Sequence, residues 1–175
     1  MRIISGKYKR KKLQGFNIDG TRSTMDRVKE SMFATIQDCI KDSVCLDLFA
    51  GSGALGIEAL SMGAKKCYFV DYNKEAVKII NQNLKGINEE VVVLNKDYLN
   101  ALDYFKEHKI TFDLIILDPP YQRYDILKII KLIDKYNLLN PNGLIVVETT
   151  NDLTDYYRCI KTKKISNKII KVYRK

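Results

Sequence analysis

The chain is poor in the residues that build metal sites and hydrolytic triads. Its 175 residues include one histidine, His108, and four cysteines that form no CxxC pair. A histidine-rich metal centre and a Ser-His-Asp triad are therefore not expected, and neither is a bound metal ion. We expect reduced thiols, with Cys45 and Cys67 buried in strands as small hydrophobic side chains, and a surface position for His108.

Long apolar runs are also missing. No stretch reaches the roughly 18 apolar residues that a membrane-spanning helix needs, and the N-terminus lacks an apolar segment long enough for a secretory signal. We therefore expect a cytoplasmic protein without membrane contact. Hydrophobic residues make up 46% of the sequence, which is enough to build the core of a single domain over residues 1–175.

Positive charge is concentrated at the two ends of the chain. Residues 1–30 hold nine Lys and Arg against three Asp and Glu, and residues 151–175 hold eight against two, within a net charge of +9. General solubility is one explanation of such lysines, but their segregation favours a phosphate-rich partner such as nucleic acid. Residues 1–42 are accordingly predicted to form a basic RNA-binding extension followed by a helix.

That first helix has a clear apolar periodicity. It is predicted to begin at Met25, with Thr24 as its N-cap. Its buried stripe comprises Val28, Met32, Ile36 and Ile40, and its opposite side presents Arg27 and Lys29.

From residue 43 onward, short apolar runs alternate with amphipathic stretches. The predicted strands are 44–49, 66–70, 91–94, 112–117 and 143–148, and the predicted helices are 54–62, 74–84, 98–107 and 124–137. Two further strands, 158–163 and 169–173, flank Ser166 and Asn167 as a terminal hairpin. The pattern predicts an α/β, Rossmann-like fold, with a mostly parallel twisted sheet, helices on both faces and a C-terminal antiparallel hairpin.

A glycine-rich turn joins the first predicted strand to the helix that follows it. Gly51, Gly53 and Gly56 match the spacing of a dinucleotide fingerprint, and Asp71 lies 20 residues after Gly51, so a nicotinamide enzyme is one interpretation. Asp47 favours S-adenosylmethionine instead. A carboxylate in the strand can order the glycine turn and approach a methionine group, whereas it would repel a pyrophosphate.

Two more acids follow predicted strands. Asp71 is expected to hold ribose hydroxyls, with helix capping as the alternative. Asp97 is expected to approach the adenine amino group, again with capping as the alternative.

A rigid corner follows the strand at 112–117. It reads Asp118-Pro119-Pro120-Tyr121, and the two prolines end the strand and stiffen the backbone. The corner presents a carboxylate, a carbonyl and an aromatic ring, which suit a planar nitrogen-bearing group. We expect Asp118 and the Pro119 carbonyl to accept the two protons of an exocyclic amino group, while Tyr121 stacks on a base turned out of its loop.

Four motifs in this order carry a resemblance to a known family. They are the basic opening at 2–13, the segment 22–33, the cofactor motif at 46–60 and the corner at 118–121. The chain resembles the RsmD-type bacterial rRNA guanine-N2 methyltransferases, which are Rossmann-like class I enzymes that use S-adenosylmethionine. Ser23 departs from the family's usual proline, and Ser166-Asn167-Lys168 replaces its usual Tyr-Gly-x-Thr pattern.

The resemblance implies methylation of one guanine in a hairpin loop of 16S rRNA, on an assembling 30S particle, by a monomer that needs no metal. Catalytic roles are implied for Asp118, Pro119, Pro120 and Tyr121. The implied cofactor-binding residues are Asp47, Phe49, Ala50, Gly51, Ser52, Gly53, Asp71, Tyr72, Asp97 and Tyr98. The RNA-binding candidates are Lys7, Lys9, Arg10, Lys11, Lys12, Arg22, Thr24 and Arg27.

Other functions remain open from the residues alone. The same corner serves adenine N6 or a glutamine amide, although the basic ends disfavour a protein amide. A non-catalytic RNA-binding module would be expected to have lost its acidic and aromatic site residues, which are present here. A nicotinamide-dependent oxidoreductase is distinguished by which cofactor raises the melting temperature.

Overall fold

The computed structural model describes residues 1–15, 22–120, 124–150 and 158–175, with the side chains of 22–25 and 158 excepted. The helices are α1 (Arg22–Ile36), α2 (Ala54–Ser61), α3 (Lys74–Asn83), α4 (Tyr98–Glu107) and α5 (Ile126–Lys135), and a 3-10 turn covers Gln37–Cys39. The strands are β1 (Val44–Asp47), β2 (Lys66–Asp71), β3 (Glu90–Asn95), β4 (Phe112–Leu117), β5 (Leu139–Thr149), β6 (Arg158–Ile165) and β7 (Lys168–Arg174). In the described part of the chain, no helix is long and apolar enough to cross a membrane.

All seven strands form one sheet in the order β3-β2-β1-β4-β5-β7-β6. The first five strands in this order pair in parallel, and β7 pairs antiparallel with both β5 and β6. The predicted mostly parallel sheet with a C-terminal antiparallel hairpin is confirmed. The chain reverses its winding direction between β1 and β4, and a crevice forms at such a point outside the carboxyl ends of the strands.

Each face of the sheet has its own hydrophobic core. The face that we call the α1 face carries α1, α2, α3 and the N-terminal residues, including Ile3 and Leu13. The opposite face carries α4 and α5. Strand residues alternate between the two cores, with Ile116 on the α1 face and Leu117 on the other, so the near-continuous apolar strands match a sheet covered on both sides.

The N-terminal residues form a narrow hairpin-like segment. An antiparallel bridge joins Arg2 and Lys12, and the Leu13 N–H donates to the Met1 carbonyl at 3.0 Å. Gly6 lies in the left-handed region with a φ of 77°, and a Cβ there would come within 1.8 Å of the Ser61 carbonyl oxygen. The segment is therefore fitted against the carboxyl end of α2, and only glycine is accommodated at this contact.

Three predictions about local structure were wrong. The first helix begins at Arg22, so Thr24 lies within its first turn instead of capping it. Lys29 is not on the solvent side of that helix but is buried, with 5% of its area exposed. The strand predicted over 143–148 begins earlier, at Leu139, and continues through Asn142, which adopts a positive φ of 64°.

Other expectations are confirmed. Cys45 and Cys67 are buried free thiols, and His108 is exposed. Burial raises the pKa of Cys45 to about 12, which keeps this thiol protonated and unreactive at neutral pH.

Candidate active site

The carboxyl ends of β1 and β4 bring the two sequence motifs together. Asp47 ends β1 and pairs with Ile116 of β4, two residues before Asp118. Cys45 lies two residues before Asp47, and Ile116 lies two residues before Asp118. Both face the α1 core, and residues two apart in a strand lie on the same side of the sheet. The acid of the glycine motif and the acid of the Pro-Pro corner therefore lie on the same face, at the crevice where the chain reverses its winding.

Backbone hydrogen bonds fix the glycine turn between β1 and α2. The Ala50 N–H donates to the Val70 carbonyl at 2.9 Å, and the Gly53 N–H donates to the Ala50 carbonyl at 2.6 Å. Gly51 and Gly53 have φ values of 53° and 77°, a region that glycine enters without strain. Ser52 is held from behind, because the Asn83 amide donates to its carbonyl at 2.8 Å.

Asp71 holds the same turn from the neighbouring strand. Its Oδ2 accepts the Gly51 N–H at 2.8 Å, and its Oδ1 accepts the Asn73 N–H at 2.8 Å. Asn73, not Asp71, caps α3, so the capping alternative for Asp71 does not apply. The acid 20 residues after the first glycine thus closes the glycine turn onto the end of β2.

Asp47 lies beneath the turn, with 1% of its area exposed. Its Oδ2 accepts the Gly56 N–H at 2.9 Å, which confirms that this carboxylate helps to order the glycine segment. Its Oδ1 is buried and has no hydrogen-bond partner among the described residues. Burial raises the pKa of Asp47 to about 7, the Gly56 N–H opposes this shift, and the negative charge of Asp71 adds to it.

These features fit a ligand with a positively charged or hydrogen-bond-donating group. An unpaired buried carboxylate oxygen is costly unless a donor reaches it. A Cβ built on Gly51 would meet no atom of the described residues within 4 Å, which leaves room for a ligand over the turn. The methionine part of S-adenosylmethionine carries an ammonium group that could supply the missing donor.

The outer part of the crevice lies at the ends of β2 and β3. Tyr72, 52% exposed, lines a cleft together with Asn95, Lys96 and Asp97. The Asp97 Oδ1 accepts hydrogen bonds from the N–H groups of Leu99 and Asn100 at 3.0 and 3.1 Å. Asp97 therefore caps α4, which was the alternative to adenine binding. Its exposed position in the cleft leaves the adenine-binding role a prediction.

Three aromatic rings gather near the glycine turn. Phe49 lies 5.0 Å from Tyr124 and 5.8 Å from Tyr98, measured between ring centroids, and the two tyrosines are 5.4 Å apart. Tyr124 follows the Pro-Pro corner by four residues and was not among the predicted site residues. The sequence signal was weak, because a tyrosine at a helix start is common, and only the fold brings it beside Phe49.

The two prolines of the Pro-Pro corner differ in burial. Pro119 is buried, Pro120 is exposed and Asp118 is partly exposed, while Tyr121 lies outside the described residues. Burial raises the pKa of Asp118 to about 8; the nearby carboxylates of Glu148 and Asp47 add to the shift and Lys168 opposes it. A carboxyl group with such a pKa is protonated in much of the ligand-free protein at neutral pH.

Most of the predicted RNA-binding residues lie away from this crevice. The Lys7 N–H donates to the Ser61 carbonyl at 2.7 Å, at the carboxyl end of α2, and its ammonium pairs with Glu89 at 2.9 Å. The Lys11 ammonium donates to the Lys85 carbonyl at 2.5 Å. Of the remaining candidates, Lys9, Arg10, Lys12 and Arg27 are exposed. The side chains of Arg22 and Thr24 are not among those that the structure describes.

The fold and the site define a Rossmann-like methyltransferase of the class that binds S-adenosylmethionine. A family model described as Conserved hypothetical protein 95 matches residues 1–174. Ribosomal RNA small subunit methyltransferase D of Haemophilus influenzae is 40% identical over 157 residues, which cover 87% of this chain and 80% of that protein.

Solved structures agree with this class. The structure of yhhF from Escherichia coli has a TM-score of 0.85 at 27% identity and covers 100% of this chain and 97% of that one. A Thermus thermophilus 16S rRNA N2 G1207 methyltransferase, solved with AdoMet and guanosine, shares the fold with a TM-score of 0.69 at 19% identity, over 100% of this chain and 49% of that one. The chain belongs to the Conserved hypothetical protein 95 family of RsmD-type methyltransferases.

Proposed function

We propose that this enzyme transfers the methyl group of S-adenosylmethionine to the exocyclic N2 amino group of one guanine in 16S rRNA. The observation that carries the proposal is the meeting of Asp47 and Asp118 on one face of the crevice, on the adjacent strands β1 and β4. One acid serves the cofactor and the other serves the amino group. The family relationship supports the choice of small-subunit rRNA.

The cofactor would be held by the glycine turn and by the acids around it. S-adenosylmethionine supplies an electrophilic methyl group when it is bound. The Asp47 Oδ1, which is buried without a hydrogen-bond partner among the described residues, would accept a hydrogen bond from the methionine ammonium. Asp71 and Tyr72 would hold the ribose, and Asp97 and Tyr98 would hold the adenine. Tyr98 lies beside the aromatic ring of Phe49.

The Pro-Pro corner would hold the amino group. The lone pair of a guanine N2 is delocalised into the ring, so the nitrogen becomes nucleophilic only when its two protons are held and its lone pair is directed at the methyl group. The Asp118 carboxylate and the Pro119 carbonyl accept those protons, and Tyr121 stacks on the base. Positioning and electrostatics then account for most of the rate enhancement.

Asp118 must be ionised to accept both a hydrogen bond and, after transfer, a proton. The positive charge of the cofactor and the approach of the amino group both favour the carboxylate form over the neutral acid. Substrate binding therefore lowers the pKa that burial has raised. Asp118 would be switched into its working form only when both substrates are in place.

The partner would be an assembling 30S particle rather than a short isolated RNA, in the bacterial cytoplasm. Residues 1–42 form the RNA-binding extension of the single domain, and the exposed Lys9, Arg10 and Lys12 reach the particle at some distance from the reacting base. We propose that the enzyme acts as a monomer.

The test is tritium transfer from labelled S-adenosylmethionine into 30S particles that lack base methylation, followed by nucleoside mapping. We expect label in N2-methylguanine of 16S rRNA, and its loss with Asp118→Ala. Label in N6-methyladenine would overturn the choice of base. Transfer to a release factor but not to the particle would overturn the choice of RNA.

A further inference from the structure

The C-terminal hairpin is strongly basic, yet none of its residues is among the predicted RNA contacts. Residues 158–175 contain eight Lys and Arg and no Asp or Glu. Lys168 is taken up by an ion pair with Glu148, and Lys171 is buried. Lys161, Lys163 and Lys164 are exposed and make no ion pair within the described part of the protein.

The hairpin turn points toward the catalytic edge of the sheet. Strand β7 runs antiparallel to β5, and its first residues pair with the carboxyl end of β5, with Ile169 opposite Thr149. The turn at Ser166 and Asn167 therefore extends beyond the same edge as Asp118. The N-terminal loop that carries Lys9 and Arg10 lies by contrast at the carboxyl end of α2, about 12 Å away along the axis of that eight-residue helix.

One lysine of the hairpin is level with the catalytic acid. Leu117 pairs with Val147, so Asp118 is level with Glu148. Glu148 pairs with Ile170, and Ile170 pairs with Lys163. Directly paired residues share a face of the sheet, so Lys163 faces the α1 side, as Ile170 does and as Asp118 does.

The spacing suits a backbone contact beside the reacting base. Three strand intervals separate β4 from β6, and at about 4.8 Å each they place Lys163 roughly 14 Å from Asp118. That distance is too long for contact with the target guanine itself. It is within reach of the phosphates one or two nucleotides away in a loop whose base has been turned into the crevice.

We propose that Lys163, together with Lys161, which pairs with Val172 and so faces the same α1 side, binds the rRNA backbone next to the target nucleotide and holds that loop over the Pro-Pro corner. This inference rests on the proposed function, because it needs an RNA substrate. Exposed lysines also protect an edge strand from pairing with other chains. The variant that separates the two roles is Lys161→Glu/Lys163→Glu, which keeps the edge charged while it reverses the sign seen by phosphate.

The experiment measures methyl transfer to undermethylated 30S particles over a range of particle and salt concentrations. We expect the double variant to raise KM for the particle by roughly tenfold, with kcat and S-adenosylmethionine affinity unchanged, and to reduce the salt slope of kcat/KM by about one per lysine. The matched control is Lys41→Glu/Lys65→Glu. These two exposed lysines precede β1 and β2, at the amino ends of the strands, and their replacement should leave KM near the wild-type value.

The outcomes are separable. An unchanged particle KM and salt slope in the hairpin variant would overturn the inference, as would an equal effect from the control pair. A loss of kcat alone would also overturn it, because it would place these lysines in the chemistry instead of in docking. A wild-type enzyme that binds S-adenosylmethionine but transfers no methyl group to the particle would instead refute the proposed function.

Discussion

The ammonium nitrogen of Lys29 lies 2.9 Å from Oε2 of Glu58, and both side chains are almost completely buried. The pair joins α1 to α2. Glu58 also accepts the N–H groups of Ile4 and Ser5, and the Lys29 ammonium donates to the Arg2 carbonyl at 2.6 Å. One buried carboxylate therefore ties the basic N-terminus and the first helix to the helix that starts at the glycine turn.

We expect Lys29→Met to lower the free energy of unfolding by about 3 kcal/mol, because it leaves the Glu58 carboxylate buried without its cation. Urea denaturation measures the change. Lys78→Met is the matched control, since Lys78 forms a 2.7 Å ion pair with Glu75 on the surface, where such pairs contribute about 0–1 kcal/mol. Equal effects from the two variants would contradict the assigned role of burial.

Alanine substitutions at two glycines of the same motif should have different effects. A Cβ on Gly56 would come within 2.3 Å of the Phe69 ring and 2.8 Å of the Cys67 sulfur, so Gly56→Ala should destabilise the protein by about 1–3 kcal/mol through overpacking. A Cβ on Gly51 meets open space, so Gly51→Ala should cost about 1 kcal/mol of backbone strain and mainly weaken S-adenosylmethionine binding. Denaturation and isothermal titration calorimetry on both variants separate the two effects, and similar cofactor affinities would be the contrary result.

The ligand-free protein should lose stability as the pH rises from about 4 to about 7. The pKa of Asp47 is raised from 3.8 to about 7, so in this window the folded protein retains a proton that the unfolded chain has released. Stability from this group is full below pH 4 and is lost as the pH approaches 7, by at most about 4 kcal/mol.

Asp47→Asn removes that titration and retains an oxygen for the Gly56 N–H. We expect the variant to show a flatter dependence of melting temperature on pH and a higher melting temperature than the wild type at pH 8, together with weaker cofactor binding. A variant with the wild-type pH dependence would show that another group causes the loss.

Methyl transfer should depend on the ionisation of Asp118. The pKa of this carboxyl is raised to about 8 in the ligand-free enzyme, and the carboxylate is the form that accepts the amino protons. The kcat/KM value, which reports ionisations of the free enzyme, should therefore rise with pH and level off above about 8. Asp118→Asn should lower the rate by about 10²–10⁴-fold and abolish the rise of kcat/KM with pH. If the variant still shows this rise, another group causes it.

Much of the site could be predicted from local patterns. The strand-glycine-helix succession around Gly51 and the Pro-Pro corner at Asp118 are contiguous in sequence, and each determines its own backbone geometry through glycine freedom and proline restriction. Helix starts were harder to place. Thr24 has the chemistry of a cap, but α1 begins at Arg22, and helix ends depend on more than a single capping residue.

The order of strands and helices along the chain, the hairpin at Ser166 and the positions of the acids and glycines follow from local sequence, because these depend on periodicity and on backbone restrictions of single residues. Which charges are neutralised and which face the substrate edge depends on the folded arrangement. Lys29 and Lys163 are both lysines in amphipathic segments, yet one is buried against Glu58 and the other is exposed and level with Asp118. The two lysines differ because the environment of a charged side chain is set by the residues packed around it, and those residues come from strands and helices far away along the chain.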